Sequence, residues 1–272
     1  MRTWNTTWCV GPVVLKLFDG VAASERFGNE LEAGDFLRLR GVPVPRRIYV
    51  SMRFKGIVYA RSRGSSLDMY DQGTDVLVAA LHNSAKQLLN RAAVPADKPL
   101  GWLHRPSGEE DIVSVLHEDL LRLPPAARRS NVVIDLREEI DLLNSIPPAP
   151  PAGKILCLTD FSPKNLIVDG ASWTLVDLES AIVATPDVFL AKAAVNMARD
   201  IRDTSLALHQ AAWFWDQVKS RSTGRAVIVW ALARMLYFRA VVGGPTKDPT
   251  SALRAVHSGC DIYEALEALA NA

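Results

Sequence analysis

The chain has 272 residues, 49% hydrophobic and 22% charged, which excludes an intrinsically disordered chain. Lys plus Arg (31) and Asp plus Glu (30) leave a net charge of +1, so a global polyanion-binding surface is not indicated, a local basic patch is left open, and nucleic acid is not an expected partner. Cys9, Cys157 and Cys260 are odd in number and form no Cys-x-x-Cys pair, which argues against a disulfide framework or a zinc knuckle.

The five histidines never form His-x-x-x-His or His-Glu-x-x-His, so no metalloprotease site is expected. Met1 to Val10 lacks the apolar core of a signal peptide. The most apolar run, Ala226 to Val242, is short for a bilayer and carries Arg234 and Arg239. The chain therefore reads as soluble and cytoplasmic, with no membrane partner.

In chain order, Thr6–Val10 and Val13–Phe18 are β-branched or apolar runs flanking Gly11-Pro12, which predicts a hairpin. Ser24–Leu39 predicts a helix, with Ser24 as N-cap and Phe27, Leu31, Phe36 and Leu39 at roughly helical spacing. Short strands follow at Arg47–Met52 and Ile57–Ala60, around a Lys55-Gly56 turn. Helices are expected at Asp75–Arg91, Asp111–Leu123 and Val132–Ile146. Pro147-Pro148-Ala149-Pro150-Pro151 cannot be helical and reads as an extended connector. Strand-like runs at Ile155–Leu158, Leu166–Val168 and Thr174–Val176 come next. From Pro186 the pattern is helical, with breaks near Ser222–Gly224 and Gly243–Pro249. A small sheet with one helix, then a large helical body with short strands, is an α+β arrangement with two lobes, 1–64 and 65–272.

Chemistry concentrates in Leu158-Thr159-Asp160-Phe161-Ser162-Pro163-Lys164-Asn165 and in Asp177-Leu178-Glu179. A hairpin turning at Asp169-Gly170 would fold Asp177 back beside Asn165, giving two hard oxygen donors of the kind Mg²⁺ takes. Asp160 would be placed to accept a proton from a hydroxyl. Taken singly, each of these is an ordinary loop residue in an Asx turn, and Lys164 an exposed loop lysine. Trp213, Trp215 and Trp230 are aromatic candidates for an acceptor pocket, although a helical body needs such residues in its core.

The combination resembles the aminoglycoside phosphotransferase family, within the protein-kinase-like fold. Asp160 matches that family's catalytic base, Asn165 one metal ligand, and Asp177 with Leu178-Glu179 its second metal segment. Val13-Val14-Leu15-Lys16 resembles the strand bearing the phosphate-binding lysine, Glu32 the helix glutamate that pairs with it, and Val42-Pro43-Val44-Pro45 the phrase that follows. Arg61 to Leu67 falls at the family's hinge, with Ala60 just before it at the nucleotide. Leu158 and Thr159 stand where the family has His and Gly, and Phe189 where it often has Asp. Only 15 residues precede Lys16, so the N-terminal lobe reads as truncated, without a Gly-rich lid.

The resemblance implies an ATP- (or GTP-) and Mg-dependent phosphotransferase acting on a hydroxyl of a small molecule such as an antibiotic, sugar or metabolite. Lys16, Glu32 and Ala60 would bind the nucleotide, Asn165 and Asp177 the metal, and Asp160 with Lys164 would serve catalysis. The competing expectation, motivated by Leu158-Thr159 and the short start, is a weak or inactive pseudokinase acting as a binding or scaffold module.

Overall fold

Strands β1 (Thr6–Val10) and β2 (Val13–Leu17) form the predicted hairpin, closing at Gly11, whose φ of 55° is the left-handed conformation that glycine takes at little cost. The computed structural model describes residues 5–20, 22–67, 74–95, 111–148 and 153–272. Strand β2 pairs antiparallel with β4 (Gly56–Ala60), and β4 with β3 (Arg47–Ser51), giving the order β1-β2-β4-β3. Helix α1 (Ala23–Leu39) contributes Ala23 and Phe27 to a small core with Phe18 and Ile57, in which the Phe18 and Phe27 rings meet edge-on at 5.6 Å. Ser24 is not the N-cap. The helix begins at Ala23, behind Ala22 at φ 55°, with no side-chain cap, and Ser24 lies inside the first turn.

Two compact units divide the chain, and the first joins Met1–His104 to Lys154–Val183. Beyond the four-stranded sheet it contains α2 (Thr74–Arg91) and two further small sheets. One is built from β5 (Ser65–Ser66), β7 (Leu166–Asp169) and β8 (Ser172–Leu175), the other from β6 (Ile155–Leu158) and β9 (Ala181–Ala184). Helix α2 packs on β6, β7 and β8. Gly64, at φ 95°, lies against the Val168 carbonyl so closely that any Cβ would fall 1.9 Å from that oxygen. Only glycine lets β5 reach β7 there.

The second unit, Arg105–Gly153 with Ala184–Ala272, is helical. It holds α3 (Ile112–Arg129), α4 (Arg137–Ser145), α5 (Pro186–Asp200), α6 (Thr204–Asp216), α7 (Arg221–Val242), α8 (Thr250–His257) and α9 (Ile262–Asn271). Helix α5 is buried without interruption from Val188 to Ala198, a stretch that encloses Lys192 and Asn196 among apolar residues, and packs on α6, α7 and α9. Phe189 and Phe214 are fully enclosed, and Trp215 and Trp230 are buried, so these aromatics serve the core.

Three boundaries differ from expectation. Helix α3 runs through Pro124 and Pro125 because Leu123 and Ala127 continue the buried stripe of Leu116 and Leu120. The helix expected at 132–146 is shorter, starting at Arg137. The break expected at Ser222–Gly224 lies just upstream: Ser220 caps α7 by accepting from the Thr223 N–H, and Gly224 sits inside the helix, where a Cβ would meet the Trp215 ring at 2.6 Å. Gly224 is thus a packing glycine. The break at Gly243–Pro249 is present, opened by Gly243 at φ 87°. Helix α4 ends at Ser145, ahead of Pro147, while 149–151 of the proline connector lie outside the described residues. No helix among the described residues is long and apolar enough to cross a membrane.

Candidate active site

Lys16 stands at the fourth position of β2, opposite Ile57 of β4, and is 7% exposed. A buried ammonium needs compensating charge. Three carboxylates provide it: Glu30 at 3.0 Å, Asp177 at 2.5 Å and Glu179 at 3.2 Å. Burial alone would lower the Lys16 pKa, but the three negative charges outweigh it and hold the amine above its ordinary 10.5. Glu179 also pairs with Arg26 at 3.6 Å and accepts from the Asn5 amide. Its carboxyl is held above the ordinary range by burial, reinforced by Asp177 and Glu30 and opposed by Lys16 and Arg26.

The helix carboxylate in this cluster is Glu30, not Glu32. Two residues along an α-helix is a rotation of about 200°, so these side chains cannot share a face. Buried α1 residues recur as Ala23, Phe27, Glu30, Gly34 and Leu37, spaced by four and three, and Glu30 is the only charged member of that stripe. Tyr59 of β4 fixes it from the other side, donating its hydroxyl to Glu30 Oε1 at 2.9 Å. Burial and the Glu30 charge push the Tyr59 phenol above its ordinary value.

The second group lies on the loop after β6. A 3-10 turn at Pro163–Asn165 brings Asn165 back over Asp160. The Asn165 amide nitrogen donates to the Asp160 carbonyl at 2.8 Å and to its carboxylate at 3.3 Å. Both partners are acceptors, so the nitrogen must face them, and Oδ1 is left as the oxygen donor of a side chain only 6% exposed. Lys164 Nζ sits 3.0 Å from Asp160 Oδ2, and this pair is much more open, with the side chains 43% and 31% exposed.

The β7–β8 hairpin, turning at Gly170 with φ 58°, connects the two groups. Leu166 pairs with Leu175, and the Val176 N–H donates to the Asn165 carbonyl at 2.9 Å, so Asp177 follows directly on the residue beside Asn165. Asp177 has φ 63°, an uncommon conformation for a non-glycine residue, and its carboxylate lies against Lys16. Ala60 ends β4 opposite Val13, its N–H donating to the Arg46 carbonyl.

A divalent cation fits this donor set. Glu30, Asp177 and Glu179 each offer a carboxylate oxygen within 4.8 Å of the others, and three carboxylates exceed the charge of Lys16 and Arg26. Glu30 and Glu179 are largely enclosed and committed to cations, whereas the Asp177 side chain is 39% exposed. Asp177 is therefore the most accessible of the three carboxylates, while Asn165 keeps Oδ1 unused by its contacts to Asp160.

The sequence matches the phosphotransferase enzyme family over residues 2–223, and the chain belongs to that family. Among solved structures, a thermostable mutant of aminoglycoside phosphotransferase APH(4)-Ia is similar with a TM-score of 0.61 and 15% identity, over 97% of this chain and 89% of that one. A choline/ethanolamine kinase family protein from Mesorhizobium loti gives 0.57 and 14%, over 100% and 91%. Aminoglycoside 2'-phosphotransferase-IIIa gives 0.59 and 16%, over 98% and 88%. The α+β, kinase-like fold is thereby established. No curated protein matches the sequence.

Sequence reasoning missed Glu30, Tyr59, Arg26 and Asn5. Glu30 alone left a readable signal, as a charge within an otherwise uncharged buried stripe.

Proposed function

We propose that the protein is an ATP- and Mg²⁺-dependent phosphotransferase that moves the γ-phosphoryl group to a hydroxyl of a small molecule. One observation carries this reading: the amine of β2 lies 2.5 Å from the carboxylate that the β7–β8 hairpin sets beside Asn165. A thermostable mutant of the similar enzyme APH(4)-Ia is seen in a ternary complex with ADP and hygromycin B, which supports a nucleotide and a small-molecule acceptor here.

Lys16 would hold the α- and β-phosphates, steadied by Glu30 and Glu179, and Ala60 would border the base. To meet a phosphate, Lys16 must release one carboxylate, and Asp177 is the most exposed of the three. Asp177 and Asn165 would then hold Mg²⁺, which when bound neutralises charge on the β- and γ-phosphates. Asp160, oriented through its carbonyl and carboxylate by the Asn165 amide, would accept the proton of the acceptor hydroxyl. Lys164, on Asp160, would face the negative charge of the transferring group.

The test is Mg²⁺-dependent ATP turnover with a panel of hydroxylated acceptors. Asp160→Asn and Asp177→Asn should each lose at least about 100-fold in kcat. Full turnover in both variants overturns the site. Millimolar ATP with Mg²⁺ should also raise stability, by about 2.7 kcal/mol at a hundredfold excess over Kd. The absence of any shift would favour a binding or scaffold module.

A further inference from the structure

Leu158, the last residue of β6, is buried at 2% exposure and brings no side-chain polar atom to the loop that begins after it. The loop is nonetheless tied at its first two residues, and both ties end on Ser180. The Thr159 hydroxyl donates to the Ser180 carbonyl at 3.0 Å, and the Thr159 N–H points to the same oxygen at 3.4 Å. The Asp160 N–H donates to the Ser180 hydroxyl at 3.2 Å. Asp160 is thus held by its backbone on both sides, with Ser180 on its N–H and the Asn165 amide on its carbonyl.

Ser180 also closes a short turn. It lies three residues after Asp177, and the Ala181 N–H donates to the Leu178 carbonyl at 3.0 Å. Asp177, at φ 63°, opens this segment, and Ser180 ends it immediately before β9, the partner of β6. A displacement of one end of the segment therefore reaches the other through three residues held in one turn.

We propose that Ser180, with Thr159, is a positioning clamp that fixes the backbone of Asp160 relative to the Asp177 segment. The inference rests on the phosphotransferase reading and assigns it two residues that hold the loop at its first two positions. Both act on the backbone at the start of the loop. Their contribution lies in the placement of Asp160, on which proton acceptance from a hydroxyl depends.

Four proteins test it: wild type, Ser180→Ala, Ser180→Thr and Thr159→Val. Two readouts are needed, hydrogen exchange of the peptide covering 159–162, and steady-state Mg²⁺-dependent ATP consumption, with water as acceptor where no better one is found. Ser180→Ala should speed exchange of that peptide about tenfold and lower kcat about tenfold, a change of about 1.4 kcal/mol, with the KM for ATP within about twofold of wild type. Ser180→Thr, which keeps the hydroxyl, should restore both, and Thr159→Val should give a smaller loss of the same kind.

Unchanged exchange in Ser180→Ala removes the clamp whatever the activity. Faster exchange with unchanged kcat removes its role in positioning, and so does a rise in KM equal to the fall in kcat. A wild type that consumes no ATP overturns the phosphotransferase reading, and the positioning role falls with it. Wild-type turnover with an indifferent Ser180→Ala sinks the clamp alone.

Discussion

The Lys16 cluster and the Asp160 loop solve the same problem, fixing a charged side chain, by opposite means. Around Lys16 the fold encloses charge: the amine and Glu30 are each under a tenth exposed, and three carboxylates converge on one cation. Around Asp160 the charged pair stays open, and the loop is located through its backbone by Ser180 and Asn165. An enclosed charge is held by the cost of leaving it alone, so its loss is felt by the whole domain. An open carboxylate on a tied backbone adds little stability and can change partner freely. The first arrangement suits a group that anchors a ligand, the second one that must exchange a proton.

The largest effect that sharpens this contrast is on stability. Lys16→Met leaves two enclosed glutamates without their main cation and should lower unfolding stability by about 3–5 kcal/mol in urea titrations at neutral pH. Adding Glu30→Gln to that variant should recover part of the loss, a coupling that a double-mutant cycle reads directly. A loss under about 1 kcal/mol would mean that the cluster is not enclosed in solution.

The helix register gives the next test. Glu30→Gln should cost about 3 kcal/mol and weaken nucleotide-induced stabilisation, whereas Glu32→Gln should leave nucleotide-induced stabilisation unchanged. The reverse ranking would place Glu32 on Lys16 after all.

That pair also shows how far the site was readable. The hairpins were legible because β-branched runs flank glycine turns, and Asp160, Asn165 and Asp177 because their spacing survives in a loop and a hairpin. Glu30 was equally legible as a charge within a buried stripe, but a motif match drew attention to Glu32 two positions on. Ser180 could not be read, since a serine hydroxyl meets a given N–H only through the geometry of two separate segments. In the helical unit, Gly224 resembles a helix breaker until the Trp215 ring is seen against it, and Pro124-Pro125 a terminator until the buried stripe continues past them.

An alkaline titration separates the two regions more finely. Lys16 holds its proton in the folded state above its ordinary 10.5, and Tyr59 above its ordinary 10.0. The unfolded chain releases both protons first, so the stability they contribute is fully present below pH 10 and falls as pH rises beyond it. Urea midpoints at pH 9, 10 and 11 should decline more steeply for wild type than for Lys16→Met or Tyr59→Phe. Parallel slopes would show that neither group holds its proton above its ordinary value in the folded state.

The smallest expected effect on stability belongs to the open pair. Lys164 and Asp160 are 43% and 31% exposed, and exposed ion pairs contribute about 0–1 kcal/mol, so Lys164→Ala should leave the urea midpoint nearly unchanged. Its effect on turnover is a separate quantity. If Lys164 faces the charge of the transferring phosphoryl group, kcat should fall by about 100-fold while the KM for ATP moves little, because the interaction strengthens as charge develops. If Lys164 only pairs with Asp160, its loss removes one partner of a carboxylate that the Asn165 amide still contacts, and kcat should change by less than about threefold. Lys164→Arg distinguishes the two further, since it keeps the charge and alters the reach: partial rescue of a large loss in kcat assigns Lys164 to the phosphoryl group, and no rescue counts against that assignment.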